Sequence, residues 1–195
     1  AKAFTDASTG SLIGDAKALY EQGYTVVLAD LFLTGSRYDA KALEARKKPF
    51  GVFFNTYNRT NLQERVQDIL TVCAFAKRSG NRVVLWGSGK AGLWTILAGA
   101  GADVLIADGA QIDLTNDAYL LEEDNYVPGL RRMGDVRTAL TLVAPKPILL
   151  YNTGAHFAGT EWVSDVYRSL EKASAFRAEA TAVSGQVIQD WIGKL

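Results

Sequence analysis

The sequence predicts an α/β protein built as a three-layer α/β/α sandwich around a mostly parallel sheet. Three observations predict it. Short segments with unbroken apolar centres (RVVLW, DVLIAD, PILLYN) alternate along the chain with longer segments of helical spacing. Strands without polar alternation must be buried on both faces, the condition of a parallel sheet covered by helices. With 195 residues, 48% hydrophobic and 22% charged, the chain has the length and composition of one ordinary domain. Right-handed crossovers are expected to place helices on both sides of the sheet. Residues 1–195 therefore read as a single domain, without internal repeat, low-complexity tract or linker.

The elements follow in order. Leu12, Ile13, Ala16, Leu19 and Tyr20 recur at helical spacing, and Gly23 stops the run. TVVLADLFLTGS, residues 25–36, reads as a short buried strand running into a loop. A short helix is expected around Ala40–Lys47; Pro49 breaks it, and the aromatic-rich FGVFFNTYN follows. Residues 60–80 predict a strong helix, opened by a capping box of Thr60 and Gln63 and closed by Gly80. RVVLW is the next strand, followed by a glycine turn and a helix over 91–100. DVLIAD is another buried strand. Residues 109–133 read as irregular, with acidic residues at 122–124. A helix over 134–144 leads to the strand PILLYN, framed by Pro145 and Pro147. Residues 160–174 are helical, AFRAEATAV is strand-like, and 185–195 close the chain as a helix. The count is about five strands.

Composition excludes several function classes. Twenty-one Lys and Arg balance 21 Asp and Glu, so no global field draws in nucleic acid or an anionic membrane. Arg46, Lys47 and Lys48, the densest basic patch, read as a solvated helix end. The one cysteine, Cys73, permits no intrachain disulfide and no zinc–thiolate cluster. It reads as a small buried hydrophobe on a helix face. The one histidine, His156, excludes a His-rich metal site. No metal or cofactor is expected. No apolar run approaches the ~20 residues a membrane helix needs, and no signal-peptide pattern is visible. The compartment stays open. A first residue of Ala1 rather than Met is what a processed or truncated chain would show.

In sheets of this kind ligands bind beyond the carboxyl ends of the strands. The candidate surface is therefore residues 30–36, 87–92, 108–113 and 152–157. Its centre is the glycine turn in RVVLWGSGKAGLW. A phosphate loop needs glycine at position 84 and Ser or Thr at 91, where the chain has Val84 and Ala91. That reading fails. Gly87, Gly89 and Gly92 do fit a dinucleotide fingerprint, and Asp108 lies 19 residues after Gly89, near where a ribose-binding acid belongs. A third reading is an anion site in the turn of Gly87, Gly89, Lys90 and Ala91, where the N–H groups of Lys90 and Ala91 point outward from the helix N-terminus and Lys90 adds charge. A fourth is that Gly87, Gly89 and Gly92 only let helix and strand pack closely.

The flanks add a resemblance. DAKALYEQGYTVVLADLFLTGS, RVQDILTVCAFAKRSGNRVVLWGSGKAG and VAPKPILLYNTG succeed one another as the elements of the α/β-hydrolase fold do. The chain resembles that superfamily from about residue 10 onward, and the acetyl xylan esterase-like hydrolases most closely, in PGLRRMGDVRTALTLVAPKPILL. The resemblance implies a hydrolase-like fold whose opening strands are missing, so that residues 1–195 are the C-terminal part of a larger chain. It also implies a nucleophile elbow, G-x-S-x-G, at the glycine turn. There Gly89 stands at the nucleophile position and Ser88 one place before it. The triad acid belongs after PILLYN, where Thr153, Gly154, Ala155 and His156 stand. The base belongs near residues 183–186, which hold no histidine. All three positions depart from the pattern, and a triad acts as a unit.

Two function classes follow. One is a non-catalytic binding unit. The other is a carbohydrate-ester hydrolase with a rearranged site of Ser88 and His156, oriented by Asp108, Asp113 or Glu161. The expected ligand is a small-molecule or carbohydrate ester, and the expected assembly is a homo-oligomer or contact with a missing N-terminal segment. Phe50, Phe53, Phe54, Tyr57, Trp86, Trp94, Trp162 and Tyr167 are candidates for a sugar-binding cleft. Core packing accounts better for most of them; the cluster at residues 50–57 reads instead as a lid or interface.

Overall fold

The computed structural model describes residues 4–47, 57–110 and 112–195. Among these, the helices are α1 (Gly14–Glu21), α2 (Ala40–Lys47), α3 (Asn61–Lys77), α4 (Ala91–Ala98), α5 (Asp117–Leu121), α6 (Asp135–Thr141), α7 (Thr160–Ser169) and α8 (Gly185–Ile192). The strands are β1 (Val84–Gly87), β2 (Val104–Asp108), β3 (Ile148–Tyr151) and β4 (Phe176–Ala178). The chain divides into two compact units, residues 1–51 with 183–195, and residues 52–182.

The larger unit holds an all-parallel sheet whose strands lie in chain order, β1-β2-β3-β4. The α/β class and the parallel sheet are as the sequence predicts. The inner strands are apolar for the reason anticipated: Val104, Leu105, Ile106, Ala107, Ile148, Leu149 and Leu150 are all buried. Along this sheet α4, α6 and α7 pack in a row, with α3 against α4.

α3 forms where its apolar stripe and caps predict. Thr60 Oγ1 accepts from Gln63 N–H at 3.2 Å, and Gln63 Oε1 accepts from Thr60 N–H at 2.9 Å. Gly80, at φ +74°, turns the chain out of the helix. Leu62, Ile69 and Cys73 are buried along it, and burial pushes the Cys73 thiol up.

The smaller unit packs α1 against α8. Gln189 of α8 donates to Asp15 Oδ1 at 3.3 Å and accepts from Gln22 Nε2 at 2.9 Å. The strand expected over 25–33 does not form. Residues 24–31 have no sheet partner among the described residues, although their burial alternates with Val27 turned outward. A strand exists through its ladder, and apolar alternation alone does not supply one. Four strands result among the described residues, where the sequence suggests five. No helix there is long and apolar enough to cross a membrane.

Candidate functional site

The turn between β1 and α4 is built by three glycines with different tasks. At Gly87 an added Cβ would lie 2.0 Å from Thr95 Oγ1 and 2.6 Å from Ala91 O, so this position admits only hydrogen. At Gly92 the Cβ would lie 1.9 Å from the Asp108 carbonyl oxygen. These two let α4 sit directly on the ends of β1 and β2. Gly89 adopts φ +55°, in the left-handed region that side chains disfavour. The chain then turns into the helix through Ala91 N–H to Ser88 O (3.1 Å) and Gly92 N–H to Gly89 O (3.0 Å).

The bend is tied to the next strands by Asp108, at the end of β2. Its Oδ2 accepts from Gly89 N–H at 3.0 Å. Its Oδ1 accepts from Ala110 N–H at 2.9 Å and from Asn152 Nδ2 at 3.0 Å. Asn152 N–H in turn donates to Thr181 O at 3.0 Å. One line of hydrogen bonds thus crosses the carboxyl ends of all four strands.

A second cluster flanks α4. Arg65 of α3 has a side chain only 3% exposed, and its Nη1 lies 2.7 Å from Asp124 Oδ1. The guanidinium lies 4.5 Å from the Trp94 ring centroid, a cation–π contact. Trp94 Nε1 donates to the Asp124 carbonyl at 3.3 Å, and Lys90 Nζ lies 3.5 Å from Asp124 Oδ2. Burial alone would raise the Asp124 carboxyl. The hydrogen bond and charge of Arg65, with Lys90, outweigh it and hold the group below the ordinary carboxylate range.

The sequence-derived anion site has internal partners at the Ala91 amide and the Lys90 ammonium, and the neighbouring Gly89 amide has one too. Gly89 N–H is on Asp108, Ala91 N–H is on Ser88 O, and the Lys90 ammonium faces Asp124. Ser88 is exposed, and its Oγ has no hydrogen-bond partner among the described residues. His156 is 71% exposed, with Nδ1 3.7 Å from Asp113 Oδ1. A hydrogen bond from Thr115 is the main influence holding the Asp113 carboxyl low. No hydrogen bond joins Ser88, His156 and Asp108. Glu161 lies in the first turn of α7.

The aromatics divide. Tyr167 and Trp94 are core residues, and Trp86 is half-buried with Nε1 donating to Tyr151 Oη at 3.1 Å. Trp162 is exposed beneath the Arg137 guanidinium, and Tyr57 is exposed. Phe50, Phe53 and Phe54 lie outside the described residues, as does Lys48 of the basic patch; Arg46 lies over the Phe32 ring.

Two participants escape the sequence reading. Asn152 stands one residue past the end of β3, directly after Tyr151, the register partner of Asp108. Arg65 shares a helical stripe with Leu62, Ile69 and Cys73, and a charge on an apolar stripe signals a buried partner. Among the described residues no group of three His, Cys, Asp or Glu side chains converges on a metal position. No family model, no curated protein and no solved structure matches the chain.

Proposed function

We propose that the chain is a non-catalytic, hydrolase-like binding unit related to the acetyl xylan esterase-like enzymes, with its ligand surface at the carboxyl ends of the strands. The observation that carries this reading is Gly89. It holds the strained, left-handed point of a strand–turn–helix bend, where an elbow would present its nucleophile, and it has no side chain to present. The buried inner strands fit the middle layer of a three-layer sandwich.

The neighbouring hydroxyl is a poor replacement. A serine attacks an ester only with a base in hydrogen-bond reach, and Ser88 Oγ has no such partner among the described residues. The donors that would stabilise an oxyanion are partly engaged, since Gly89 and Ala91 N–H groups already serve Asp108 and Ser88 O. The Asp108 carboxylate on Gly89 N–H also argues against the dinucleotide reading. It places a negative charge at the amide a pyrophosphate would use. Among the described residues the strand order has no reversal, and dinucleotides bind at reversals.

The test is labelling with a fluorophosphonate probe together with turnover of p-nitrophenyl acetate. Neither labelling nor turnover above that of the Ser88→Ala variant is expected. Turnover abolished by both Ser88→Ala and His156→Ala would overturn the proposal and establish a rearranged hydrolase. Thermal stabilisation by NAD, lost in Asp108→Asn, would establish the dinucleotide reading instead.

A further inference from the structure

The far edge of the sheet carries a groove that the strand-end surface does not involve. It encloses about 450 Å³. One wall is α7, through Glu161, Ser164, Asp165 and Arg168; the other is β4, through Phe176 and Ala178. The helical residues recur three and four apart, so they share one face. The two strand residues are two apart, so their side chains share one face of the sheet.

β4 ends the strand order, and its outer side has no neighbouring strand among the described residues. Its inner side is assigned by register: Arg177 stands opposite Leu149, and Glu179 N–H donates to Leu150 O at 2.9 Å. In a parallel ladder alternate residues turn both backbone groups toward the same neighbour. Arg177 and Glu179 therefore face β3, and Ala178 turns its N–H and C=O outward. Phe176 N–H donates to Ala173 O, which leaves its carbonyl for the outer side. The groove is thus bordered by one main-chain donor and two main-chain acceptors that have no partner among the described residues.

Charge selects what can enter. The helical wall carries two carboxylates, Glu161 and Asp165, against one guanidinium, Arg168. Asp165 is paired with Arg168. Glu161 is exposed in the first turn of α7 and has no ion-pair partner among the described residues.

We propose that this groove takes up an extended basic peptide as an added strand. The peptide main chain pairs with Ala178 and the Phe176 carbonyl. Its alternate side chains point into the groove, where a lysine or arginine meets Glu161. Main-chain pairing supplies affinity and the side-chain positions supply selectivity, as in other strand-addition sites.

Fluorescence anisotropy tests this with a labelled seven-residue peptide alternating lysine and valine. Saturable binding is expected. The same peptide with glutamate for lysine should bind at least fivefold more weakly, and a backbone N-methylated copy should not bind saturably. Glu161→Lys should weaken the lysine peptide about fivefold, the ceiling for one exposed ion pair. Ala178→Pro should abolish binding. Should that variant not fold, the N-methylated peptide puts the same question to the unaltered chain. Equal binding of the N-methylated copy, or an unchanged preference in Glu161→Lys, would overturn the proposal. So would a dimer in gel filtration that Ala178→Pro dissociates, because the edge would then belong to a second copy.

Discussion

Replacing Gly92 by alanine adds one methyl group where the structure has no room. The new Cβ would lie 1.9 Å from the Asp108 carbonyl oxygen, and ordinary contact begins at 3.4 Å. The difference, 3.4 − 1.9 = 1.5 Å, must open between the start of α4 and the end of β2. Both partners are main chain, so no rotamer change relieves the clash. α4 cannot withdraw alone, because Leu93, Trp94, Thr95 and Ile96 are buried along it. Overpacking relieved by side-chain movement costs ~1–3 kcal/mol. Prying a helix from a sheet should exceed that, at about 4 kcal/mol, out of a total stability of ~5–15 kcal/mol. With a urea m-value of about 2 kcal/mol/M, the unfolding midpoint falls by about 2 M. Gly129→Ala is the control: φ is +80°, but nothing lies within 4 Å of the added carbon. Only the left-handed backbone is penalised there, at ~1–2 kcal/mol. Urea unfolding followed by tryptophan fluorescence compares the two. Equal losses would refute the argument from close approach.

Arg65→Met removes the buried partner of Asp124 while keeping most of the side-chain volume. Asp124 is 37% exposed, so water compensates in part, and thermal unfolding should report a loss of about 2–3 kcal/mol. Asp30 is held at about 2, first by the Ser36 hydroxyl and then by the Ser36 N–H. Its folded value lies below its unfolded one. Its contribution to stability is therefore present above about 4 and lost as pH falls through about 2. Ser36→Ala should move the Asp30 midpoint upward from about 2 in a carboxyl-carbon NMR titration. Tyr167→Phe deletes a hydroxyl that donates to Lys146 O at 2.6 Å from a fully buried ring; equilibrium unfolding should show a loss of about 1–2 kcal/mol.

Much of the layout is legible in the residues themselves. The apolar VLIA and ILLY form the inner strands because nothing polar in them resists burial on either face. Thr60 and Gln63 mark the start of α3 because capping is local chemistry. What stays hidden depends on distant partners. TVVLADLFL has the composition of a strand but no ladder partner among the described residues, and no local pattern reveals whether a neighbour exists. The glycine turn presents the same difficulty. Its spacing fits a phosphate-binding loop, yet Gly89 N–H is taken by a carboxylate 19 residues along the chain. Neither residue announces that pairing. Arg65 is the exception, since a guanidinium on an apolar stripe asks for a counter-charge before any coordinates are seen.

The chain of contacts from Gly89 through Asp108 and Asn152 to Thr181 yokes together loops that otherwise belong to separate crossovers. A tug on any one is passed to its neighbours, so the rim responds as a single stiff collar. Grafting a new segment at one strand tip should therefore disturb the others unless the aspartate and the asparagine are redesigned together.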